Sequence, residues 1–281
     1  MISNYLIEHK HIGVKRTKHG LLMYNRNDLF IGKSLDLYGE WCEYEILLLR
    51  NFIRESDVVV DVGANIGTHS IAFADMVGAA GKVHAFEPQP SLFYMLCGNL
   101  ALNGLGNVQA HRRAVGAGRG EIGLPDLPSP DTPFNFGAMP MTDPGSQEAA
   151  VEMVAVDDLG LAGCRLIKID IEGMELEALK GARKTVEKFQ PFLFIENNTL
   201  DRSSSVIEAV FQLGYKAYWH IRPYFHQDNF FCNSENVFSG IQPEANLLCF
   251  PKAVTPETFD LIECTSTGDN WLKVVERYRK K

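Results

Sequence analysis

Val58-Val59-Val60-Asp61-Val62-Gly63-Ala64-Asn65-Ile66-Gly67-Thr68-His69-Ser70 reads as a strand, a glycine loop and a helix start in direct succession. Val58, Val59 and Val60 form the β-branched run expected of a strand buried on both faces. Asp61 is predicted to close that strand. Gly63 and Gly67 flank a tight turn, where the backbone needs positive φ or the close approach of a ligand. Thr68, His69 and Ser70 lead into the helical stretch Ile71-Ala72-Phe73-Ala74, so loop amides face whatever anionic group docks there. A dinucleotide fingerprint needs glycine at its first, third and sixth positions. Counted from Gly63, Asn65 and Thr68 hold the third and sixth, so that pattern fails twice. A purely structural turn stays open at this point.

Working outward, strands alternate with helical patterns. Upstream, 20–24 and 29–31 read as strands around the turn Asn25-Arg26-Asn27-Asp28. Residues 43–52 read as an amphipathic helix through Tyr44, Leu47, Leu48 and Phe52. Downstream, strands are expected at 83–86, 108–111, 166–170 and 192–196, and late strands at 215–219 and 247–250. Helices are expected at 92–102, 174–187 and 203–213. This alternation implies an α/β fold with a doubly wound, mostly parallel sheet. Residues 1–54 are read as an N-terminal hairpin-and-helix cap on a catalytic domain of 55–281. Two segments break the rhythm. Residues 116–150 are rich in Gly, Pro, Asp and Ser and are expected to form a flap. Residues 222–245, dense in aromatics and amides, are expected to be an acceptor-side insertion.

Ligands of a doubly wound sheet bind at the carboxyl ends of its strands. The polar residues at those ends are Asp61, Glu87, Asp170 and Glu196, four carboxylates facing one crevice. Glu87 follows the glycine loop by about twenty positions, and its two oxygens suit the cis-diol of a ribose.

The pieces together resemble the FkbM-family methyltransferases that use S-adenosylmethionine (SAM). They are Gly39-Glu40-Trp41 with Glu43 and Glu45, the Asp61 to Gly67 loop, Phe86-Glu87-Pro88, Asn99 with Asn103, Asn135-x-Gly137, Leu166-Ile-Lys-Ile-Asp-Ile-Glu-Gly173 with Glu175, and Glu196. The stretch from Lys168 to Gly173 is the most specific of them. The resemblance implies a Rossmann-like class I methyltransferase fold, with a seven-stranded sheet whose last strand is antiparallel. It also implies O-methylation of a hydroxyl on a sugar, glycan, polyketide or similar acceptor. Residue by residue, it places Gly63, Ala64 and Asn65 along the methionine part of SAM and Ser70 at its carboxylate. Glu87 falls on the ribose, and Ala114 near adenine with Arg113 as neighbour. Asp170 falls beside the sulfonium or the acceptor, and Asp61, Gly67 and Pro88 complete the cofactor set.

Methyl transfer asks a protein to align three atoms and to take a hydroxyl proton. Lys168, Asp170, Glu172 and Glu196 are the candidates for that work. Lys168 and Asp170 share one strand face. A buried Lys168 needs a carboxylate partner, so a structural ion pair and a base stand as equal readings. His69, His220 and His226 are further base candidates. Asp170, Glu196 and Asn197 are similar to the set with which catechol-type O-methyltransferases hold magnesium, so Mg2+ is an expectation as well.

Composition sets the outer bounds. A net charge of -8 over 281 residues speaks against a nucleic-acid partner. So does Ile171-Glu172-Gly173, where a base methylase would carry Asn/Asp-Pro-Pro-aromatic. Six scattered cysteines without a Cys-x-x-Cys pair fit a reducing cytoplasm. The polar first twenty residues read as no signal peptide, and no apolar run nears the ~18 residues of a membrane span. The expected partner is a small-molecule or saccharide acceptor, with a homo-oligomer left open. A NAD(P)-type oxidoreductase and a non-catalytic SAM- or nucleotide-binding module are the alternatives.

Overall fold

The computed structural model describes residues 5–139, 149–254 and 261–279. An antiparallel sheet of β1 (Tyr5–His9), β2 (Ile12–Thr17) and β3 (Gly20–Asn25) leads into helices α1 (Ile31–Tyr38) and α2 (Glu43–Leu49). The alternating part begins with β4 (Val58–Val62), α3 (Thr68–Val77), β5 (Lys82–Phe86), α4 (Pro90–Leu102) and β6 (Val108–His111). The chain then leaves the main sheet to build a small one from β7 (Ala114–Val115), β8 (Gly120–Leu124) and β9 (Ala149–Val154). It returns through β10 (Leu166–Ile169), α5 (Glu175–Gly181), α6 (Arg183–Phe189), β11 (Phe192–Glu196) and α7 (Leu200–Gln212). It finishes with β12 (Tyr215–Arg222), β13 (Glu244–Pro251), β14 (Ile262–Cys264) and α8 (Trp271–Arg279).

The main sheet runs β14-β12-β13-β11-β10-β4-β5-β6. β4 pairs in parallel with β5 on one side and β10 on the other, so the valine run sits at the point where strand order reverses. β13 is antiparallel to both β11 and β12. Period-two alternation explains the apolar sequences of the central strands. Val60, Ile167 and Leu193 pack into the core beneath α5, α6 and α7, while Val59, Leu166 and Phe194 pack into a second core with α2 and α3. All six are essentially fully buried. The strand order and the antiparallel β13 are those the resemblance implies, extended at the edge by β14.

Several expectations change. The predicted strand at 29–31 does not form, because Asp28 Oδ1 accepts the amides of Phe30 (2.8 Å) and Gly32 (3.2 Å) and turns the chain into α1. The predicted helix 174–187 breaks at Ala182. There Asp157 accepts the amides of Lys184 (3.0 Å) and Thr185 (2.7 Å) and gives α6 a start of its own. β4 runs one residue past Asp61 to Val62. The seven-stranded sheet gains β14 as an eighth strand, antiparallel to β12. Of the expected flap, residues 140–148 lie outside the described residues. The remainder is partly sheet, since β8 and β9 pair antiparallel.

Two contacts carry the outer segments onto the sheet. Asn99 Oδ1 accepts the Met23 amide (2.7 Å), and its Nδ2 donates to Met23 O (3.0 Å), tying β3 to α4. Glu40, buried in the turn after α1, accepts from His226 Nδ1 (2.7 Å) and the Phe230 amide (3.0 Å) and so holds the 223–243 insertion. No helix among the described residues is long and apolar enough to cross a membrane.

Candidate active site

A cavity of about 210 Å³ opens at the carboxyl ends of β4, β5, β10 and β11. Its wall is completed by Trp41 and Cys42 before α2, by the 135–139 segment, and by Tyr224 and Glu244. The glycine loop forms one side. Gly63 has φ +84°, and a Cβ there would stand 1.8 Å from the Asp170 carbonyl oxygen, so only glycine lets the loop lie on the end of β10. The amides of Gly63 (3.0 Å) and Ala64 (2.8 Å) donate to Phe86 O. Asn65 is left-handed at φ +50°, a conformation that Asn tolerates through local side-chain bonding. Its Oδ1 accepts the Ile66 amide (2.8 Å), and its own amide donates to Glu87 Oε2 (3.0 Å).

Glu87 is therefore aimed by the backbone. Its Oε1 accepts the Gln89 amide (2.8 Å), leaving unused lone pairs at the cavity wall beside Pro88 and Gln89. Burial pushes its carboxyl up to about 7, against the two backbone hydrogen bonds that favour the charged form.

Lys168 is 2% exposed. Its Nζ lies 2.8 Å from Asp170 Oδ2 and 3.7 Å from Asp61 Oδ1. Burial alone would lower its pKa, but Asp170, Asp61 and Glu45 together raise it above the ordinary lysine value. A lysine so held stays charged, and of its two readings the geometry provides the ion pair. Asp170 is kept low by Lys168 in spite of burial, and its side chain opens onto the cavity.

Five predicted cofactor residues lie elsewhere. Asp61 is fully buried behind the loop, where its Oδ2 accepts from Ser70 Oγ (2.6 Å). Ser70 is thus turned away from the expected carboxylate position. One helical step is about 100°, and it is the preceding Thr68 and His69 that line the cavity. Ala114 does not reach the cavity because it pairs with Met153 in the small sheet. Arg113 points to Glu152, with Nε donating at 2.9 Å. Gly67 turns the chain into α3 at φ +93°.

Glu172 and Glu196 do line the cavity. Burial, then Asp170 and Glu175, push Glu172 up to about 7. Burial, then Asp170 and Glu244, hold Glu196 well above the carboxylate range. The expected Mg2+ set does not assemble. Asp170 is taken by Lys168, and Asn197 turns toward α7, donating to Ser203 Oγ (3.0 Å). Among the described residues no group of three or more His, Cys, Asp or Glu is placed to hold a metal ion.

Other lining residues were outside the predicted set. Cys42 adopts φ +44°, and from this kink α2 starts with Glu45 facing inward. Glu45 Oε1 accepts from Asn246 Nδ2 (2.8 Å), and Oε2 lies 3.0 Å from His69 Nε2 without completing a hydrogen bond. Burial, opposed by Lys168 and reinforced by Asp170, raises Glu45 to about 8. Burial and then Lys168 lower His69 to about 4, so its imidazole is neutral. The other two histidine candidates sit away from the cavity. His220 is buried against Phe194, with ring centroids 5.9 Å apart, and His226 serves Glu40. Glu244 was legible in principle: β13 is antiparallel, so its first residue shares the sheet edge where β11 ends.

Residues 61–230 match the family model described as the methyltransferase FkbM domain. The chain belongs to the FkbM methyltransferase family. The oxidoreductase expectation falls with that assignment. Hexuronic acid methyltransferase AglP of Haloferax volcanii is 33% identical over 170 residues, which are 59% of this chain and 65% of that protein. Methyltransferase sdnD of Sordaria araneosa is 33% identical over 156 residues, 44% of this chain and 59% of that one. The chain thus spans under two thirds of the length of these curated relatives. Among solved structures, methyltransferase FkbM from Methylobacillus flagellatus KT aligns with a TM-score of 0.43 at 17% identity, over 73% of this chain and 50% of that one.

Proposed function

We propose that this FkbM-family protein is a SAM-dependent O-methyltransferase acting on a hydroxyl of a saccharide or similarly polyhydroxylated acceptor. The observation that carries the reading is Glu87. Its carboxylate is fixed by two backbone amides at the rim of the glycine loop and faces the same cavity as Asp170 and Glu196. Glu87 takes the ribose hydroxyls, with Pro88, Gln89 and Leu92 bordering that end. Gly63, Ala64 and Asn65 lie along the methionine portion, and Thr68 and His69 replace Ser70 at its carboxylate. Bound SAM supplies a methyl group already activated on a sulfonium. The protein positions the acceptor oxygen in line with it and excludes water. Asp170, kept anionic by Lys168, faces the reacting centre. Glu172, raised to about 7, is placed to take the hydroxyl proton, and Glu196 flanks the acceptor beside it. AglP, named for methylation of a hexuronic acid, supports a saccharide acceptor.

Thermal shift with S-adenosylhomocysteine and with NAD tests the cofactor. A ligand at a hundred times its Kd adds about 2.7 kcal/mol. S-adenosylhomocysteine should raise Tm and NAD should not; the reverse result ends the reading. Glu87→Gln should weaken S-adenosylhomocysteine about tenfold or more, the cost of a hydrogen bond to a charged group. Unchanged affinity would remove Glu87 from the ribose site.

A further inference from the structure

The acceptor half of the cavity holds more carboxylate than cation. Glu45, Asp170, Glu172, Glu196 and Glu244 line it, and among the described lining residues Lys168 alone carries a full positive charge. Lys168 is already shared between Asp170 and Asp61. Arg202 acts on Glu172. Among the described residues Glu45, Glu196 and Glu244 have no cation of their own, and each is raised by burial and by neighbouring carboxylates, Glu45 to about 8 and the other two well above the carboxylate range. Bound SAM brings a single net positive charge, and that charge belongs beside Asp170.

The wall beside these carboxylates is aromatic. Trp41 and Tyr224 stack with ring centroids 5.2 Å apart and planes at 25°, and Phe30 meets Tyr224 edge-on at 5.3 Å. All three line the cavity, and the Tyr224 hydroxyl is bonded to Glu244. Ring faces and carboxylates attract the same kind of group, a desolvated cation. Neutral hydroxyls would leave these crowded carboxyls holding their protons, whereas an ammonium lets them ionise against it and offsets their mutual repulsion. A uronate would add to it.

Resting on the methyltransferase reading above, we propose that the acceptor belongs to the amino-sugar class. Its ammonium sits among Glu196, Glu244 and the Tyr224–Trp41 wall while a neighbouring hydroxyl faces the methyl donor. The acceptor of this chain then differs in charge from the hexuronic acid named for AglP.

Isothermal titration of the full chain, saturated with S-adenosylhomocysteine, tests this with three matched probes: the methyl glycosides of glucosamine, N-acetylglucosamine and glucuronic acid. The glucosaminide should bind about tenfold tighter than its N-acetyl form, and the glucuronide weakest of the three. Glu244→Gln should cut the preference for the amine to about twofold or less. Binding of the glucuronide or the N-acetyl form as tight as the amine overturns the inference, as does a preference unchanged in Glu244→Gln. Either result leaves the methyltransferase reading standing, because S-adenosylhomocysteine is already bound. Failure of S-adenosylhomocysteine itself to bind overturns both.

Discussion

Lys168 shows how one buried charge holds a site together. Lys168 pairs in register with Asp61 on the neighbouring strand and precedes by two residues Asp170, which directly follows its own strand, so one ammonium serves a carboxylate behind the glycine loop and another in front of it. Removing it leaves Asp61, which is fully buried, with only Ser70 Oγ. Breaking a buried pair by deleting one partner costs about 3–5 kcal/mol. Lys168→Met should lower stability in urea unfolding by that amount, and a loss below about 1 kcal/mol would show that Lys168 does not hold the two carboxylates. Part of this was legible. Period-two alternation sets Lys168 and Asp170 on one face, and both are named by motif. The Asp61 partnership depends on β10 lying next to β4, which no local pattern states. Ser70 misled for a related reason: a short polar residue at a helix start serves a ligand or a buried carboxylate equally well, and Asp61 claims it.

At the level of elements, the connection from β4 into α3 is shaped by what it lies against. Gly63 presses on the Asp170 carbonyl, and its φ of +84° is open to glycine at no steric cost. Gly63→Ala should destabilise the protein by at least about 2 kcal/mol through strain at the loop and displacement of the end of β10. Thermal unfolding checks it, and a Tm within a degree of wild type would mean that the loop has slack. This turn was readable because a valine run, two glycines and a helical stretch follow one another within thirteen residues. The kink before α2 was not. Cys42 sits at φ +44° with no residue chemistry that requests it, so Glu45, though part of the family motif, had no local signal for its inward aim. The 135–139 segment reaches the cavity because Phe134 bridges to Asp28, more than a hundred residues earlier. Such long-range pairing of irregular chain leaves no periodicity to read, whereas the doubly wound core does, and β14, three residues long, falls below any pattern.

The whole molecule carries two opposed sets of perturbed groups, and their balance fixes its response to pH. His69 and His111 are lowered by burial to about 4 and His220 to about 3, from an ordinary value of 6.5. Below pH 6.5 the unfolded chain takes up protons that the folded chain refuses, so stability is lost as pH falls toward those values. Asp36 and Glu43, held low against burial by partners that include Lys15 for one and His19 for the other, act in the same sense at still lower pH. The cavity carboxylates act the other way. Glu87 and Glu172 are raised to about 7 and Glu45 to about 8, from 4.5. Their contribution is fully present below 4.5 and is lost as pH rises through 7 to 8, where the folded protein must give up protons that the unfolded chain released earlier. Tm of the unliganded protein should therefore peak between pH 4.5 and 6.5 and decline on both sides. Glu45→Gln keeps an acceptor for Asn246 but removes one carboxylate, so it should flatten the alkaline limb and leave the acid limb where it is. S-adenosylhomocysteine should also flatten the alkaline limb, because ribose hydroxyls favour the charged form of Glu87. A Tm profile flat from about pH 5 to pH 8 would refute the carboxylate set. An acid limb that moves with Glu45→Gln would show that His69 and Glu45 titrate as one unit, not as members of opposing groups.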